Sequence, residues 1–512
     1  MTSFRPLHVR ARTVAGLAEQ FGCAVHGDGA VELTGITSSS SAVRAGDLFV
    51  ALPGAATHGV RFAAAAIAAG AVAILTDQAG IDALGDTMVP VLVTEHPRAA
   101  LGPVSAWLYG TGEFASDDDS LVFGVTGTNG KTSVVYLLAA IGHHLGRVVA
   151  LSSTAERRIG DDVSVSGLTT PEANEVHALL AAARERDVRT AALEVSAHAL
   201  SRHRVDGVVF DVVGFSNLSH DHLDDYPDME SYFEAKRDLF TPERARRGVV
   251  VVDDAWGRRL VEESRIPVTT LSTSSTAHAD WRVQVTAELR GSTSFTLTGR
   301  DRTLHATVPM LGAFSATNAA LALVMWVEAG FDLDRIAESL GDGTIQAFVP
   351  GRTEAVSGAE GPLVLIDYAH TPEAFRELLQ AVRHVSTGRI IMVFGADGDR
   401  DRSKRADMGA IAARGADVLV ITDFHPRSED PATIRAALIE GALEAVPGRE
   451  IFEIGEPRSA IRQAVSLARP DDVIVYAGPG HEEYHEVAGV KIPYSAREEA
   501  RSALREAGWL HD

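Results

Sequence analysis

The chain has 512 residues, of which 46% are hydrophobic and 23% are charged, and its formal net charge is −22. This length predicts about two to four domains, because one hydrophobic core does not extend over so many residues. The negative charge, without a basic cluster, argues against nucleic acid or an anionic membrane as a partner. The single cysteine, Cys23, excludes an intrachain disulfide.

No segment has the pattern of a signal peptide or of a membrane span. The N-terminal residues lack an apolar run, and the longest apolar stretch, residues 62–75, is too short to cross a bilayer. We therefore expect a cytoplasmic protein without membrane insertion.

Two polar, glycine-containing stretches, residues 109–120 and 349–362, are typical of joints between domains. They predict domains at residues 1–118, 119–350 and 351–512. In the second and third domains, short β-branched runs alternate with longer helical patterns, as in parallel βαβ units. Ligands bind at the carboxyl ends of the strands in such sheets. The predicted strands are residues 121–125, 190–195, 208–218, 363–369, 389–396, 417–424 and 472–478.

The segment GVTGTNGKTS, residues 124–133, follows the first of these strands and opens a helical pattern. Its glycines allow backbone N–H groups to surround phosphate oxygens, and the start of the helix adds positive potential. Lys131 would reach the terminal phosphates and Thr132 would bind magnesium, so the segment predicts a nucleoside triphosphate site. A turn with a chance GKT sequence is the alternative, because the strict phosphate-loop pattern has glycine where this chain has Val125.

Lysine occurs at only four positions, although lysine and arginine together number 47, so each lysine is a candidate for a role that arginine cannot perform. Lys236 falls on the apolar face of a predicted helix with Met229, Phe233 and Phe240. Desolvation disfavours the charged amine there, and a neutral amine can take up carbon dioxide to become a carbamate, an oxygen ligand for a hard metal ion. A snorkelling or salt-bridged lysine is the alternative.

Candidate metal ligands follow two of the predicted strands. His222 lies in a run of histidine and aspartate, residues 220–225, after the strand at 208–218. Glu194 lies at the end of the strand at 190–195, where it would hold the magnesium ion of the nucleotide.

Nine ordered motifs resemble those of the Mur ligases and, among them, those of the UDP-N-acetylmuramoyl-tripeptide synthetases. The resemblance extends from about residue 34 to the C-terminus. The motifs are GTNGKTS, EVSAHAL, NLSHDHLD, EAKRDLF, VPGRTE, IDYAHTPEA, FGADGDRDRSKR, HPRSEDP and AGPGHEEY.

The resemblance implies an α/β protein with a small uridine-binding domain, a central P-loop domain with a mainly parallel sheet, and a C-terminal Rossmann-like domain that binds the amino acid. It implies an ATP-dependent acid–amino-acid ligase that adds the third amino acid to UDP-MurNAc-L-Ala-D-Glu through an acyl phosphate. This reaction belongs to peptidoglycan precursor synthesis, and thereby to cell wall biogenesis, cell shape and cell division. Two magnesium ions are expected, and so is a monomer.

The resemblance also implies roles for individual residues. Lys131, Glu194, His222 and Lys236 match catalytic positions. Thr132 and Glu194 would bind the magnesium ion on ATP, and His222 with Lys236 as N6-carboxylysine would bind the second ion. The other matches to ATP-binding positions are Gly127, Thr128, Asn129, Gly130, Ser133, Asn318, Arg352 and His370. The matches to contacts of the UDP-sugar peptide are Ser40, Thr169, Thr170, Ser196, Arg202 and Arg204. The matches to amino-acid contacts are Arg400, Phe424, His425, Arg427, Gly478 and Glu482.

The motifs leave the identity of the added amino acid open. Related ligases that add meso-diaminopimelate carry D-N-P-R where this chain has F-H-P-R, residues 424–427. A missing polar partner in a buried site costs about 1 to 3 kcal/mol, which is enough to change the substrate. The substitution disfavours meso-diaminopimelate and leaves lysine, ornithine, diaminobutyrate and homoserine as candidates.

Two other functions are compatible with the same scaffold. One is a different ligase of the Mur superfamily, either the ligase that adds D-Ala-D-Ala or folylpolyglutamate synthetase. The motifs HDHLD, HPRSEDP and AGPGHE favour the tripeptide synthetase over these. The other is a catalytically silent nucleotide-binding protein, against which the intact Lys131, Thr132, Glu194, His222 and Lys236 argue.

Overall fold

The computed structural model describes residues 4–54, 57–112, 119–165, 167–223, 225–358 and 360–511. Part of the first predicted joint, residues 113–118, and Asp224 of the predicted acidic run lie outside these ranges. Among the helices of the described residues, none combines the length and the apolar character that crossing a membrane requires.

The N-terminal part of the chain forms a five-stranded sheet in the order β2-β7-β6-β5-β4. Its strands are parallel except β2, which is antiparallel to β7. These five strands are β2 (Ala24–His26), β4 (Gly35–Thr37), β5 (Asp47–Val50), β6 (Ala73–Thr76) and β7 (Val91–Val93). Strands β1 (Arg12–Thr13) and β3 (Glu32–Leu33) form a separate antiparallel pair. The helices are α1 (Val14–Phe21), α2 (Ala63–Ala68), α3 (Gln78–Leu84) and α4 (Pro97–Tyr109), with 3-10 turns at Ser40–Ala42 and Gly59–Phe62.

The middle of the chain forms an eleven-stranded sheet in the order β11-β10-β9-β12-β8-β13-β14-β15-β16-β17-β18. The strands are β8 (Leu121–Thr126), β9 (Val149–Ser152), β10 (Glu156–Ile159), β11 (Asp162–Val165), β12 (Thr190–Glu194), β13 (Phe210–Phe215), β14 (Ala245–Val251), β15 (Val268–Ser272), β16 (Trp281–Leu289), β17 (Ser292–Gly299) and β18 (Arg302–Val308). The helices are α5 (Lys131–His144), α6 (Ala173–Glu185), α7 (Ala197–Ser201), α8 (Met229–Arg237), α9 (Ala255–Glu263), α10 (Ala313–Glu328) and α11 (Leu333–Leu340), with a 3-10 turn at Asp238–Phe240.

Strands β9, β12, β8, β13, β14, β15 and β16 run parallel, and the two ends of the sheet are antiparallel. The central strands β8, β12 and β13 are buried along almost their whole length because helices cover both faces. On one face α5 and α10 pack over the strands, where the ring of Trp326 lies 4.9 Å from that of Phe123 and its Nε1 donates to the carbonyl oxygen of Leu138. On the other face α6, α7 and α8 form a second core.

The C-terminal part of the chain forms a six-stranded sheet in the order β19-β20-β24-β21-β22-β23, parallel except for β19. The strands are β19 (Glu354–Ala355), β20 (Leu363–Asp367), β21 (Ile390–Phe394), β22 (Val418–Ile421), β23 (Glu450–Glu453) and β24 (Val473–Ala477), followed by the hairpin β25 (Tyr484–Val487) and β26 (Val490–Pro493). The helices are α12 (Pro372–Val385), α13 (Lys404–Gly415), α14 (Pro431–Ala445), α15 (Pro457–Leu467) and α16 (Ala496–Glu506).

The predicted α/β class and the mainly parallel central sheet are confirmed, and all seven predicted strands are present. In the central sheet β8 lies between β12 and β13. The segments that leave the carboxyl ends of these three strands, beginning at residues 127, 195 and 216, are therefore neighbours in space. They carry most of the predicted site.

Candidate active site

The loop between β8 and α5 passes close to two neighbouring segments. Gly127 has a φ of +144° and Gly130 a φ of +88°, conformations that favour glycine. A Cβ atom on Gly127 would lie 2.0 Å from Oγ of Ser216, and one on Gly130 would lie 2.5 Å from Oδ1 of Asn318. Both positions thus require glycine for the backbone conformation and for the close approach of a neighbouring side chain.

The segment after β13 holds the middle of this loop. The backbone N–H of Asn129 donates to Oδ1 of Asn217 at 3.0 Å, and Oγ1 of Thr128 accepts from the N–H of Ser219 at 3.1 Å. Nζ of Lys131 donates to the carbonyl oxygen of Thr128 at 2.8 Å. The lysine amine therefore lies against the loop itself, which is the position that a phosphate-binding lysine needs.

Glu194 lies beside the start of α5. In the sheet it pairs with Val125 of β8. Its Oε2 accepts from Oγ1 of Thr132 at 3.0 Å and from the backbone N–H of Thr154 at 2.9 Å, and Nη2 of Arg352 donates to Oγ1 of Thr132 at 3.1 Å. A hydroxyl and a carboxylate oxygen this far apart match the spacing of adjacent oxygen ligands around Mg²⁺. The two residues predicted to bind the magnesium ion on ATP are thus adjacent in the fold.

Lys236 lies on the inner side of α8 and is only 1% exposed. Its Nζ donates to the carbonyl oxygen of Gly127 at 2.8 Å and lies 4.5 Å from the centre of the Tyr232 ring. Burial, and after it the positive charge of Lys131, hold the pKa of Lys236 well below its ordinary value. The lowered pKa favours the neutral amine, which is the form that reacts with carbon dioxide. Phe233, one turn earlier, is buried as the predicted helical phase requires.

His222 follows the end of β13 in a strained conformation, with a φ of +57°. Burial lowers its pKa to about 4 although the charge of Asp221 acts in the opposite direction, and the positive charge of Lys131 adds to the effect of burial. His222 is therefore a neutral imidazole near pH 7, the form that binds metal ions. Its strain and its neutral ring both fit the predicted role as a ligand.

His222 and two neighbouring side chains also have the geometry of a metal site. The ligand atoms of His198, His222 and Asp225 all lie within 4.8 Å of one another. Nε2 of His198 is 2.9 Å from Oδ2 of Asp225, and the two histidine rings are 5.0 Å apart. Two imidazoles and a carboxylate suit Mn²⁺ or Zn²⁺ better than Mg²⁺. His222 therefore has neighbours other than Lys236 with which it can bind a cation.

The C-terminal domain contacts the segment after β13 directly. Nζ of Lys404 is 3.6 Å from Oδ1 of Asp221, and Nε2 of His220 is 3.2 Å from Oδ2 of Asp401. Lys404 and Asp221 are both buried. These ion pairs, together with Arg352, bring residues of the C-terminal domain over the phosphate loop.

A cavity of about 360 Å³ joins these groups. The phosphate loop and arginines from two domains line it together. The predicted residues on its wall are Thr128, Asn129, Gly130, Lys131, Thr132, Thr169, Glu194, Ser196, Arg202, Arg204, His222, Arg352, His370 and Arg400. Thr170 lies directly behind this wall, where its Oγ1 donates to the carbonyl oxygen of Glu194 at 2.7 Å. The buried Ser133 lies in the first turn of α5.

A second cavity, of about 550 Å³, lies on the other side of the phosphate loop. Asn129, Gly130 and Asn318 line it, and helix α12 of the C-terminal domain forms its far wall through Glu377 and His384. The structure thus places Asn318 next to the phosphate loop but outside the first cavity. The two cavities share only the edge formed by residues 129 and 130.

Most of the predicted amino-acid residues form a cluster in the C-terminal domain. Nε2 of His425 is 2.8 Å from Oε2 of Glu482, and the rings of Phe424 and His425 are 4.2 Å apart. A Cβ atom on Gly478 would lie 3.7 Å from the Phe424 ring, and Arg427 follows His425 by two residues. Phe424 and His425 are buried, and neither lines the first cavity, whereas Arg400 does.

Ser40 lies apart from all of these residues. It begins the 3-10 turn Ser40–Ala42 of the N-terminal domain and lines neither of the two large cavities. Its neighbours Ser38 and Ser39 line a small cavity of about 110 Å³, in which Oγ of Ser38 donates to Oδ1 of Asn174 at 3.3 Å. The predicted contact of Ser40 with the UDP-sugar stays a prediction.

Several residues of the site were not singled out from the sequence. His198, Thr154 and Tyr368 all line the first cavity. His198 and Tyr368 belong to the motifs EVSAHAL and IDYAHTPEA, so these motifs could have indicated both residues. Thr154 follows β9, a strand that the sequence patterns did not predict. Because Thr154 also belongs to none of the motifs, the sequence did not indicate it.

Comparison with known proteins identifies the family. Three family models match, namely the Mur ligase middle domain at residues 125–326, the Mur ligase glutamate ligase domain at 351–480 and the Mur ligase family catalytic domain at 32–106. A UDP-N-acetylmuramyl-tripeptide synthetase of Leifsonia xyli is 61% identical over 99% of both chains. The chain belongs to the Mur ligase family. The predicted family is confirmed, and so is the closer resemblance to the tripeptide synthetases.

Other Mur ligases resemble the chain over nearly its whole length. A UDP-N-acetylmuramoyl-L-alanyl-D-glutamate–2,6-diaminopimelate ligase of Streptomyces avermitilis is 44% identical over 98% of both chains. A solved structure of a ligase with the same name has a TM-score of 0.66 at 27% identity and covers 98% of this chain and 100% of its own. The MurF ligase of Thermotoga maritima, solved in complex with ADP, shares the fold with a TM-score of 0.64 at 18% identity over 92% and 97% of the two chains.

Proposed function

We propose that this Mur ligase adds the third amino acid to UDP-MurNAc-L-Ala-D-Glu in an ATP-dependent step of peptidoglycan precursor synthesis. One observation carries the proposal: a single cavity contains the phosphate loop, Glu194 and the arginines Arg202, Arg204 and Arg400. A carboxylate held by those arginines would lie next to the terminal phosphate of a nucleotide on the loop. The 61% identity to a tripeptide synthetase over the full chain supports the same step.

The nucleotide would extend across the phosphate loop from one cavity to the other. Its terminal phosphates would lie against Lys131 and the first turn of α5, where backbone N–H groups and the helix start favour negative charge. Its nucleoside would lie in the second cavity, beside Asn318. The predicted binding of ATP rests on this geometry and on the family.

Two magnesium ions would be bound in the first cavity, beside the phosphate loop. Thr132 and Glu194 would hold the first, since their oxygen atoms are 3.0 Å apart. His222 and the carbamate of Lys236 would hold the second, and the burial and lowered pKa of Lys236 fit that modification. Such ions stabilise the negative charge that develops on transferred phosphoryl oxygens.

The residues of the chain then position the reactants and stabilise charge. The substrate carboxylate attacks the γ-phosphorus of ATP, ADP leaves, and an acyl phosphate forms. Lys131 and Arg352, which both line the cavity, would lie beside the oxygen atoms on which negative charge increases. The amine of the incoming amino acid then attacks the acyl carbon, a tetrahedral intermediate forms, and phosphate leaves. His370, whose Nδ1 donates to the carbonyl oxygen of Tyr368 at 2.7 Å, keeps Nε2 available on this cavity wall.

A product analysis tests the proposal. The protein is incubated with UDP-MurNAc-L-Ala-D-Glu, ATP, magnesium and one amino acid at a time from a panel of meso-diaminopimelate, lysine, ornithine, diaminobutyrate and homoserine. We expect a UDP-MurNAc-tripeptide by mass spectrometry, with ADP released in equal amount. Parallel reactions with UDP-MurNAc-tripeptide plus D-Ala-D-Ala, and with a folate plus glutamate, test the other ligases of the superfamily.

Intact ATP in every reaction would contradict the proposal and favour a silent scaffold. Product only in the D-Ala-D-Ala or folate reaction would contradict the tripeptide step. It would still support an ATP-dependent ligase of the same superfamily. The monomeric state, the cytoplasmic location and the absence of nucleic-acid binding stay predictions, which sedimentation, fractionation and a binding titration with DNA would check.

A further inference from the structure

The ring of His425 has no hydrogen-bonding atom left for a ligand. Its Nδ1 accepts the backbone N–H of Glu486 at 2.9 Å. Because a backbone nitrogen can only donate, Nδ1 carries no proton, and the proton of the neutral ring lies on Nε2. That Nε2 donates to Oε2 of Glu482 at 2.8 Å. Both ring nitrogens are therefore used within the protein.

The carboxylate of Glu482 keeps its negative charge without a cationic partner. His425 is the only basic group within ion-pairing distance of Glu482 among the residues that the structure describes, and the neutral ring does not cancel the charge. Burial has the largest single effect and would raise the pKa of Glu482, but the hydrogen bond from His425 and the electrostatic effects of the surrounding histidines together lower it. Within the described part of the chain, Oε1 of Glu482 accepts no hydrogen bond. A partly buried carboxylate of this kind favours a cation in its ligand.

The positive charge of Arg427, beside this cluster, is already shared between two carboxylates. Nη2 of Arg427 donates to Oδ1 of Asp397 at 3.1 Å, and Nε is 3.7 Å from Oε2 of Glu486. Nη1 donates to the carbonyl oxygen of Gly398 at 3.1 Å. Phe424, packed beside Gly478, contributes no polar atom. A carboxylate on the ligand would therefore meet excess negative charge here.

Glu482 lies close to the wall of the first cavity. Tyr368 and His370 both line that cavity. Burial and then the nearby carboxylate of Glu482 raise the pKa of Tyr368 well above its ordinary value. Glu482 is thus near enough to act electrostatically on the cavity wall, on the side where the C-terminal domain contributes Arg400.

We propose that the amino acid joined by this enzyme carries a side-chain ammonium, which binds Glu482, and has no second carboxylate. This inference rests on the proposed function and narrows its substrate class. Arg400 would take the single carboxylate, the α-amine would face the first cavity, and the side chain would extend towards Glu482. Lysine, ornithine and 2,4-diaminobutyrate have this chemistry. Meso-diaminopimelate does not, since its far end carries a carboxylate beside the ammonium.

The test compares amino acids that differ only in the side-chain ammonium. With UDP-MurNAc-L-Ala-D-Glu, ATP and magnesium held constant, kcat/KM is measured for lysine against norleucine, ornithine against norvaline, and diaminobutyrate against 2-aminobutyrate, with meso-diaminopimelate alongside. For at least one pair we expect the diamino acid to exceed both its uncharged partner and meso-diaminopimelate on the order of 100-fold.

Two variants separate the charge of Glu482 from its structural contribution. Glu482→Gln should reduce the preference for the diamino acid over its uncharged partner by at least about tenfold while leaving the KM for ATP unchanged. Glu483→Gln is the matched control, because the neighbouring Glu483 forms a surface ion pair with Arg497 at 2.6 Å. The control should keep the preference of the unmodified enzyme.

The outcomes separate this inference from the proposed function. Equal use of meso-diaminopimelate or of the uncharged amino acids by the unmodified enzyme would overturn the inference alone, whether or not the variants fold. An unchanged preference in an active Glu482→Gln enzyme would also overturn it. No tripeptide with any amino acid would overturn the proposed function and the inference with it.

Discussion

The amine of Lys236 donates a hydrogen bond to the carbonyl oxygen of Gly127 at 2.8 Å, across 109 residues of sequence. This contact joins the inner side of α8 to the first glycine of the phosphate loop. It places the one fully buried lysine of the described residues next to the atoms that would surround the γ-phosphate. A modification of Lys236 would therefore act directly on the nucleotide site.

Replacement of Lys236 tests whether it acts as a carbamate. Lys236→Ala should lower the rate of ADP release by at least about 100-fold, because it would remove the proposed carbamate ligand of the second metal ion. Formate or acetate should restore part of the rate by supplying the missing carboxylate. In ¹³C-bicarbonate, the unmodified protein should give a carbamate signal by ¹³C NMR that the variant lacks.

Lys491→Ala is the control for this experiment, since Lys491 is exposed on β26 and packs over the Tyr484 ring. It should retain both the rate and the carbamate signal. Absence of rescue together with absence of the NMR signal would remove the carbamate from the mechanism.

A second prediction concerns the glycine at the start of the phosphate loop. Gly127→Ala combines a strained φ with a Cβ atom 2.0 Å from Ser216 Oγ. Backbone strain of this kind costs about 1 to 3 kcal/mol, so calorimetry should show ATP binding weakened by about tenfold or more. Gly146→Ala is matched, because Gly146 has a φ of +74° but no atom within 4 Å of its Cβ position. Equal effects of the two substitutions on ATP binding would contradict the steric argument.

A third prediction separates the proposed magnesium role of Glu194 from its role in packing. Glu194→Gln keeps the size of the side chain and can still accept from Thr132, but it loses the charge that attracts a cation. ATP binding in the presence of magnesium should weaken by about 10- to 100-fold, while binding in EDTA should change little. Glu338→Gln, on the exposed side of α11, should change neither. A loss of the same size in EDTA would assign Glu194 to the fold instead.

A fourth prediction follows from His177, which is fully buried between two domains. Its Nε2 donates to the carbonyl oxygen of Asp206 at 2.9 Å, its Nδ1 accepts from Oγ1 of Thr111 at 2.7 Å, and burial lowers its pKa to about 4. Above pH 6.5 the ring is neutral in both the folded and the unfolded state. As the pH falls below 6.5 the unfolded state takes up the proton first, so the free energy of unfolding decreases until about pH 4.

This histidine should account for about 2 kcal/mol of the stability lost between pH 7 and pH 5. Urea unfolding of His177→Gln should therefore show a smaller loss over that interval, by about the same amount. The exposed His143 provides the comparison, and His143→Gln should lose as much stability as the unmodified protein. An identical pH dependence for all three proteins would refute the assignment.

Local sequence was sufficient for the phosphate loop and for most of the parallel strands. The glycines and Lys131 lie within a few residues of each other, and their roles depend on a backbone conformation that the same residues favour. The burial of Lys236 could also be predicted from the nearby sequence, because its apolar neighbours recur at helical spacing. Periodicity alone could not predict the hydrogen bond of Lys236 to Gly127, because the two residues are 109 positions apart in the sequence.

The amino-acid sequence by itself determined the fold class, the phosphate loop, the buried lysine and the family, since each depends on residues close together in the chain or on ordered motifs. Only the tertiary structure decided which charges remain uncompensated. His425 meets Glu482 across 57 residues, and Lys404 meets Asp221 from another domain. The charge state of a side chain depends on every group packed around it, and strand order and domain docking set those neighbours.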